Sequence, residues 1–348
     1  MKPLVAVAIS GGIDSLVSAF LLKKEGYPLI GVHFTTGYET AGPADIARMA
    51  DQVGIPLHVI DCAHMFKSVV VNYFIDTYRQ GRTPNPCLVC NPHIKFTAVF
   101  EKIRELTDAD YLATGHYVKV IKDHNGRFCL MKGRDVLKDQ SYFLAFLTQQ
   151  HLSKAMFPLG DLTKKEVRNL AAENGLQSVS KEESQDVCFI RNKTYTDFLA
   201  GAGGFMPDPG PVTDTTGRII GEHQGLYRFT VGQRKGINIP ADRPYYVIRL
   251  DTAENRLVVG YKEELLQSAC RVSDVHWIDG RIVQEPAAPV NIHVKVRYRH
   301  KAVPATLVPE ENRMAEIRFD TPEAAVTPGQ GAVFYQGDQV LGGGWIES

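Results

Sequence analysis

The sequence predicts an α/β protein in which a doubly wound parallel sheet is followed by a small β-rich domain and a C-terminal β-barrel. Three observations carry that prediction. The first half alternates short apolar runs with helix-period segments, as strand–helix–strand units do. A tight Ser10-Gly11-Gly12 turn directly follows the first apolar run, where such sheets hold phosphates. Beyond about residue 200, breaker-rich connections and short alternating runs replace the helical pattern.

The elements follow in order. Apolar runs at 4–9, 29–34, 57–60 and 111–113 read as parallel strands, with helices near 14–25, 44–53, 64–80 and 93–106 between them. A further helix is expected over 164–174, opened by Thr163 as N-cap and closed by Gly175. The breaker clusters 201–204 and 207–211 end this domain, and 225–231, 245–250 and 256–259 read as strands of a second one. After a seam at 265–271, the runs 291–298, 305–308, 314–319 and 332–335 have the spacing of a small antiparallel barrel or sandwich. The domains are therefore expected at 1–200, 201–268 and 269–348.

A chain of 348 residues, 44% apolar, is long enough for two or three separate cores. Lys plus Arg and Asp plus Glu both number 39, so no global field recruits an acidic partner, and any nucleic acid must be held by local basic patches. The run 4–9 could open a signal peptide, but Ser10-Gly11-Gly12 interrupts it at once and no cleavage pattern follows. No stretch approaches the roughly 20 apolar residues needed to cross a bilayer, so a cytoplasmic protein without a membrane partner is expected. In that reducing compartment the six cysteines suit metal binding, catalysis or burial better than a disulfide framework.

Ser10-Gly11-Gly12-Ile13-Asp14-Ser15 places consecutive backbone N–H groups and a helix N-terminus where they can surround phosphate oxygens. Asp14 cannot itself welcome phosphate and is expected to engage Mg²⁺ or to order the turn. A Gly-Gly turn alone also fits a plain strand-to-helix connection; the six-residue pattern at the first such junction is the stronger signal. No Gly-x-x-x-x-Gly-Lys-Ser/Thr run occurs, which disfavours an ordinary P-loop NTPase.

Cys87-Leu88-Val89-Cys90 is expected in a loop ahead of a helix, with Cys188 far away in sequence. Such a set can ligate a metal or cluster, carry persulfide sulfur, or be structural. Zinc deaminases share a Pro-Cys-x-x-Cys run but need an upstream His-x-Glu, and none of the 11 histidines has Glu two places on. A closed zinc site needs four ligands and only one Cys-x-x-Cys pair exists; Cys188 could be a third ligand and His93 a fourth, with nothing further to support zinc. Cys62, Cys129 and Cys270 read as small buried residues.

The six-residue turn resembles the motif of the PP-loop ATP pyrophosphatases, which adenylate a carbonyl and release pyrophosphate. Further segments extend the likeness: 82–86, Cys90-Asn91, Ile94-Lys95-Phe96, 113–117, 138–144, 187–190, 230–236, 296–299 and 341–344. With them the chain is similar to the tRNA-specific 2-thiouridylases of the MnmA/TrmU family over nearly its whole length. That resemblance implies a PP-loop domain, a small β-rich linker domain and a C-terminal barrel that together clasp tRNA. It also implies ATP-dependent 2-thiolation of a tRNA uridine, taken as the wobble U34, by adenylation of the base oxygen and displacement of AMP by sulfur. By motif position Ala8, Ile9, Ser10, Gly11, Gly12, Ile13, Asp14, Ser15, Phe34 and Gly115 match the ATP site, Cys90 the nucleophile and Cys188 the persulfide carrier. Asn85 and Pro86 match the loop that meets the target base, and His116, Lys138, Asp139, Gln140, Arg297, Tyr298 and Gln330 match tRNA contacts. ATP, Mg²⁺, tRNA and a sulfur donor (a sulfur-relay protein, a cysteine desulfurase or inorganic sulfide) are the implied cofactors and partners.

The chain departs from that pattern twice. Many relatives have Asp where Cys87 stands, so three thiolates are available here, and Cys87, Cys90 and Cys188 are expected to ligate a [4Fe–4S] cluster with one iron left open for hydrosulfide, in preference to a cluster-free persulfide route. The loop 35–45 is short, with Glu39 and Asp45 its only acidic residues, which suits either a trimmed loop or a paralogue thiolating another position. A non-catalytic tRNA-binding module and a PP-loop ligase acting on a small carboxylate are the competing classes.

Overall fold

The computed structural model describes residues 2–39, 41–179, 187–279 and 288–347. Strands β1 (Val5–Ala8), β2 (Leu29–Thr35), β3 (Leu57–Asp61) and β4 (Tyr111–Ala113) are followed by a hairpin, β5 (Val118–Lys122) and β6 (Phe128–Lys132), and then by β7 (Ala155–Met156). The order β3-β2-β1-β4-β7 makes one parallel sheet. Side chains alternate along β1, so Val5 and Val7, with Ile9 beyond, face one helical layer and Ala6 faces the other. The first layer holds α1 (Ile13–Lys24) and α2 (Pro43–Val53) and buries Leu16, Leu22, Ile46 and Met49. The second holds α3 (Ala63–Phe66) and α4 (Asn72–Arg79), then α5 (Pro86–Cys90) and α6 (Phe100–Thr107), each pair joined through a π-helical stretch at Lys67–Val71 or Asn91–Val99. Further along come α7 (Gln149–Ser153), α8 (Lys164–Glu173) and α9 (Tyr195–Gly203).

The middle domain pairs β8 (Gly210–Thr213), β9 (Ile219–His223), β10 (Tyr246–Asp251) and β11 (Arg256–Gly260) in the order β10-β11-β8-β9. The expected strand at 225–231 is instead a 3₁₀ turn, Leu226–Arg228. Gly225 has φ 130° and the Tyr227 ring folds back over it, so the chain cannot stay pleated there.

In the last domain β12 (Leu266–Trp277), β13 (Val290–Lys295), β14 (Val303–Pro309), β15 (Ala315–Ala324), β16 (Gly331–Gln336) and β17 (Gln339–Ile346) form a six-stranded barrel, closed by β12 pairing with β17. The glycines 342–344 permit that closure: a Cβ on Gly342 would lie 1.9 Å from the His276 carbonyl oxygen, and one on Gly344 3.0 Å from that of Ser273. The barrel does not stand apart. Hairpin β5–β6 adds to its sheet through β17, with Val340 opposite Leu130. Tyr142 Oη donates to the Gly331 carbonyl (2.8 Å), Trp345 stacks on Phe146 at 5.1 Å, and Arg82 pairs with Glu347. Among the described residues no helix is long and apolar enough to cross a membrane.

Candidate active site

The turn after β1 is built for close approach. Gly11 has φ +90°, and Ser15 Oγ, accepting from Ser10 N–H (3.2 Å) and donating to the Gly12 carbonyl (2.8 Å), ties the loop together. Gly12, the N-cap of α1, offers no side-chain cap, so the first N–H groups of the helix keep their donors for a ligand. Gly115 lies against the turn: a Cβ there would sit 3.0 Å from Asp14 C and Ser15 N. Ala8 ends β1, Ile9 is in the core, and Phe34 stands near the end of the neighbouring β2.

Asp14 is held by two residues that the motif reading passed over. Lys164 Nζ reaches both carboxylate oxygens (2.6 and 2.7 Å), and Tyr117 Oη donates to one of them (2.8 Å). Lys164 is the first residue of α8, whose start is fixed by Thr163 Oγ1 accepting from Glu166 N–H (3.3 Å) while the Glu166 carboxylate accepts from Thr163 N–H (2.6 Å). Of the two roles foreseen for Asp14, ordering the turn is the one this geometry supports, because both oxygens already hold cationic or hydroxyl donors.

The two cysteines of the Cys-x-x-Cys pair are on α5, not in a loop ahead of a helix. Pro86 takes the first helical position with Asn85 as N-cap, and the missing N–H of a proline is harmless there. Pro92, one turn on, looks like a helix breaker in sequence; the wider π-helical turn at Asn91–Val99 accommodates it, and Thr97 Oγ1 donates to the Pro92 carbonyl (2.7 Å). Cys188 is carried by a segment pinned through buried Phe189, whose ring meets Tyr38, Phe66, Phe74 and Phe198 at 5.2 to 5.8 Å.

All six cysteines among the described residues are free thiols. Cys87 is reached by solvent yet walled by protein, and loss of hydration pushes its thiol up to about 11, opposed by the Lys95 ammonium. Cys90 is buried and its thiol is pushed up to about 12, by burial first, with Lys95 pulling down and Cys188, Cys87 and Cys62 pushing up. The Cys188 thiol is raised as well, burial outweighing Lys95 and Arg191, while Glu39 adds to the rise. The three thiols thus lie in one another's field around a single lysine.

Among the described residues no three His, Cys, Asp or Glu side chains converge closely enough to hold a metal ion. The expected cluster ligands Cys87, Cys90 and Cys188 are therefore not assembled as a cradle. Cys90 is buried, whereas Cys87 and Cys188 are reached by solvent. His93, the fourth ligand a zinc site would have needed, is exposed.

Residues matched to tRNA contact fall into two kinds. Arg297 is exposed on the barrel rim, and Tyr298 lies 4.3 Å from Phe143, close enough to Cys87 for that thiolate to raise its phenol, after burial and Asp139. Lys138 lines a hollow of about 350 Å³ with Lys164, Lys165 and Arg168. The others are built inward. Asp139 is 5% exposed and accepts from Gly133 N–H, Ser141 N–H and Ser141 Oγ, so its carboxylate is spent on the loop rather than offered to a ligand. Gln140 Oε1 accepts from Tyr117 N–H, and Gln330 Nε2 donates to the carbonyls of Thr83 (3.1 Å) and Pro84 (3.0 Å) while its Oε1 meets Asn85. His116 is held neutral by burial and by Lys95, with Nδ1 against Thr114 Oγ1 at 2.7 Å.

Glu39, from the short loop, also reaches this site. Burial raises its carboxyl, but hydrogen bonds from Thr36 and Gly37 outweigh that and leave it below the usual range. Lys95 carries the clearest missed signal, since it stands inside the Ile94-Lys95-Phe96 motif five residues after Cys90.

A phosphate-shaped turn at the head of a parallel sheet, two thiols on α5 with a third at Cys188, and two appended β domains define a nucleotide-binding protein of the HUP class with group-transfer equipment. The tRNA methyl transferase HUP domain family matches residues 3–192, its PRC-barrel domain 196–261, and the aminomethyltransferase beta-barrel domain 267–346. The tRNA-specific 2-thiouridylase of Desulfosudis oleivorans is 50% identical over all of this chain and 96% of its own length; that of Geobacter metallireducens is 42% identical over 99% of this chain and 96% of its own. A third, from Syntrophotalea carbinolica, is 43% identical over 98% of both. The chain belongs to the tRNA-specific 2-thiouridylase family.

Proposed function

We propose that this protein thiolates a tRNA uridine at C2, taking the wobble U34 as its target, at the expense of ATP. The observation that carries the reading is the short segment after β4: Gly115 presses on the nucleotide turn, and the adjacent His116 lies in the field of Lys95, which the three thiols share. One connection therefore spans from where ATP would be opened to where sulfur would be delivered.

In this reading ATP lies on Ser10, Gly11, Gly12 and Ser15, with Mg²⁺ travelling on its phosphates rather than on Asp14. The uridine O2 attacks the α-phosphorus and pyrophosphate leaves. Sulfur reaches Cys188 as a persulfide from an external donor. The terminal sulfur attacks C2, the C2–O bond breaks, and AMP departs with that electron pair. Cys90 then attacks Cys188 Sγ; the sulfur–sulfur bond to the base breaks with its electrons left on the thiouridine sulfur, and the Cys90–Cys188 disulfide is reopened by a dithiol reductant. Arg297, Tyr298 and Lys138 would meet the tRNA, whereas Asp139, Gln140, Asn85 and Gln330 would hold the loops that do. The work belongs in the cytoplasm, where tRNA is.

A cluster on Cys87, Cys90 and Cys188 is the second reading, favoured by the third thiol at position 87. Non-convergence of the three side chains argues against it, and no step above runs through it. Unmodified tRNA, ATP, Mg²⁺ and protein preloaded with persulfide on Cys188 should yield AMP, pyrophosphate and 2-thiouridine in equal amounts by mass spectrometry. Protein that makes none of them, or that thiolates a transcript lacking U34 equally well, would refute the proposal. Anaerobic purification with iron and sulfide analysis separates the two sulfur routes.

A further inference from the structure

Lys95 is a half-buried ammonium with no apparent structural task. It stands in the π-helical stretch between Ile94 and Phe96, both of which are in the core. Among the described residues no carboxylate is ion-paired with it and no hydrogen bond fixes it. A partly dehydrated cation without a counter-ion is costly to keep, and sites that keep one generally have a negative charge to meet.

The groups around it say which. Lys95 acts on Cys87, Cys90 and Cys188 alike, and on His116 as well. Among the described residues no other cation acts on all three thiols. Arg191 acts on Cys188 alone, and its Nε donates to the Cys188 carbonyl (3.0 Å). His116 is neutral and engaged with Thr114. The carboxylate that approaches, Glu39, has the wrong sign, and its oxygens are occupied by Thr36 and Gly37. The sulfur chemistry proposed above runs through anions at every step, a persulfide terminus, a Cys90 thiolate and a departing AMP, in a place where burial disfavours them all.

We propose that Lys95 is the counter-charge that holds anionic sulfur in place during transfer to the adenylated base, and that it serves the sulfur half of the reaction and not the ATP half. The inference rests on the thiolation reading. It assigns a positioning role, exerted on sulfur by charge, to a residue that the Asp14 turn and the cysteines left out.

Two half-reactions separate the roles. Full-length wild type, Lys95→Met, Lys95→Gln and Lys95→Arg are compared in tRNA-dependent ATP–pyrophosphate exchange and in single-turnover 2-thiouridine formation from protein preloaded with persulfide. Both neutral variants should keep exchange within about threefold while transfer slows by about a hundredfold, the scale of removing one preorganised charge from a transition state; Lys95→Arg should restore transfer to within about tenfold of wild type. If one neutral variant does not fold, the other carries the test. Transfer at the wild-type rate in a neutral variant overturns the proposal, and so does an equal fall in both half-reactions. Wild-type protein that forms no thiouridine fails the thiolation reading itself, a result distinct from either.

Discussion

At the scale of single residues, the thiols are set against ionising on their own. A thiol pushed up to about 11 is roughly a hundredfold less ionised at pH 8 than one at the ordinary value of 9.0. Iodoacetamide should therefore alkylate Cys87 about a hundredfold more slowly than an unhindered cysteine at pH 8. The sign is fixed: a raised thiol gains thiolate as pH rises, so the rate should climb about tenfold per unit up to pH 10. Cys90, buried and pushed up to about 12, should react later still. Peptide mass spectrometry at timed quenches reads both, and a Cys87 that alkylates at the free-thiol rate would contradict the environment described for it. The residue types at this site were readable from sequence, because Cys90, Cys188 and the Ser-Gly-Gly turn are local patterns. Their partners were not. Lys164 meets Asp14 across 150 residues and Tyr117 across 103, and nothing in local spacing announces a pairing at that distance.

Among the elements, α8 shows how a local signal positions a distant charge. Thr163 and Gly175 mark its ends in the sequence, and the reciprocal bonds of Thr163 and Glu166 set its first turn, so Lys164 emerges pointing at Asp14. Thr163→Ala should remove about 1 kcal/mol of stability, seen as a melting temperature about 2–4 °C lower, with a raised KM for ATP and an unchanged KM for tRNA. An unaltered KM for ATP would detach α8 from the nucleotide turn. Capping motifs survive translation from sequence to structure because all their partners lie within four residues. The Cys-x-x-Cys segment did not, because Pro92 reads as a breaker unless a π turn is known to absorb it. Hairpin β5–β6 was missed for a different reason: its strands are short and its outer partner, β17, lies some 200 residues on.

At the scale of the whole molecule, the barrel packs against the parallel-sheet domain beside the candidate site. Barrel residue Gln330 holds the 83–85 loop ahead of the cysteines, and Tyr298, wedged against Phe143, brings the rim that carries Arg297 and Arg299 to the edge of the sulfur site. A chain of zero net charge has no long-range pull on tRNA, so in the proposed reading these exposed cations and the Lys138–Lys165–Arg168 hollow would supply the local field. Phosphate contacts release counterions, and each contributes about 0.7–0.9 to the slope of log affinity against log salt. Replacing Arg297 and Arg299 together by Gln should therefore flatten that slope by about 1.5 and weaken tRNA binding most at low salt. The melting temperature should not move, since both side chains are exposed. The turnover of bound tRNA should also hold, because neither residue lies among the thiols or on the nucleotide turn. A slope that stays the same while affinity falls would mean that the rim shapes the loop rather than touching phosphate. The clasp would then have to be sought on the Lys138 side, where Lys165→Gln gives the same measurement its second surface.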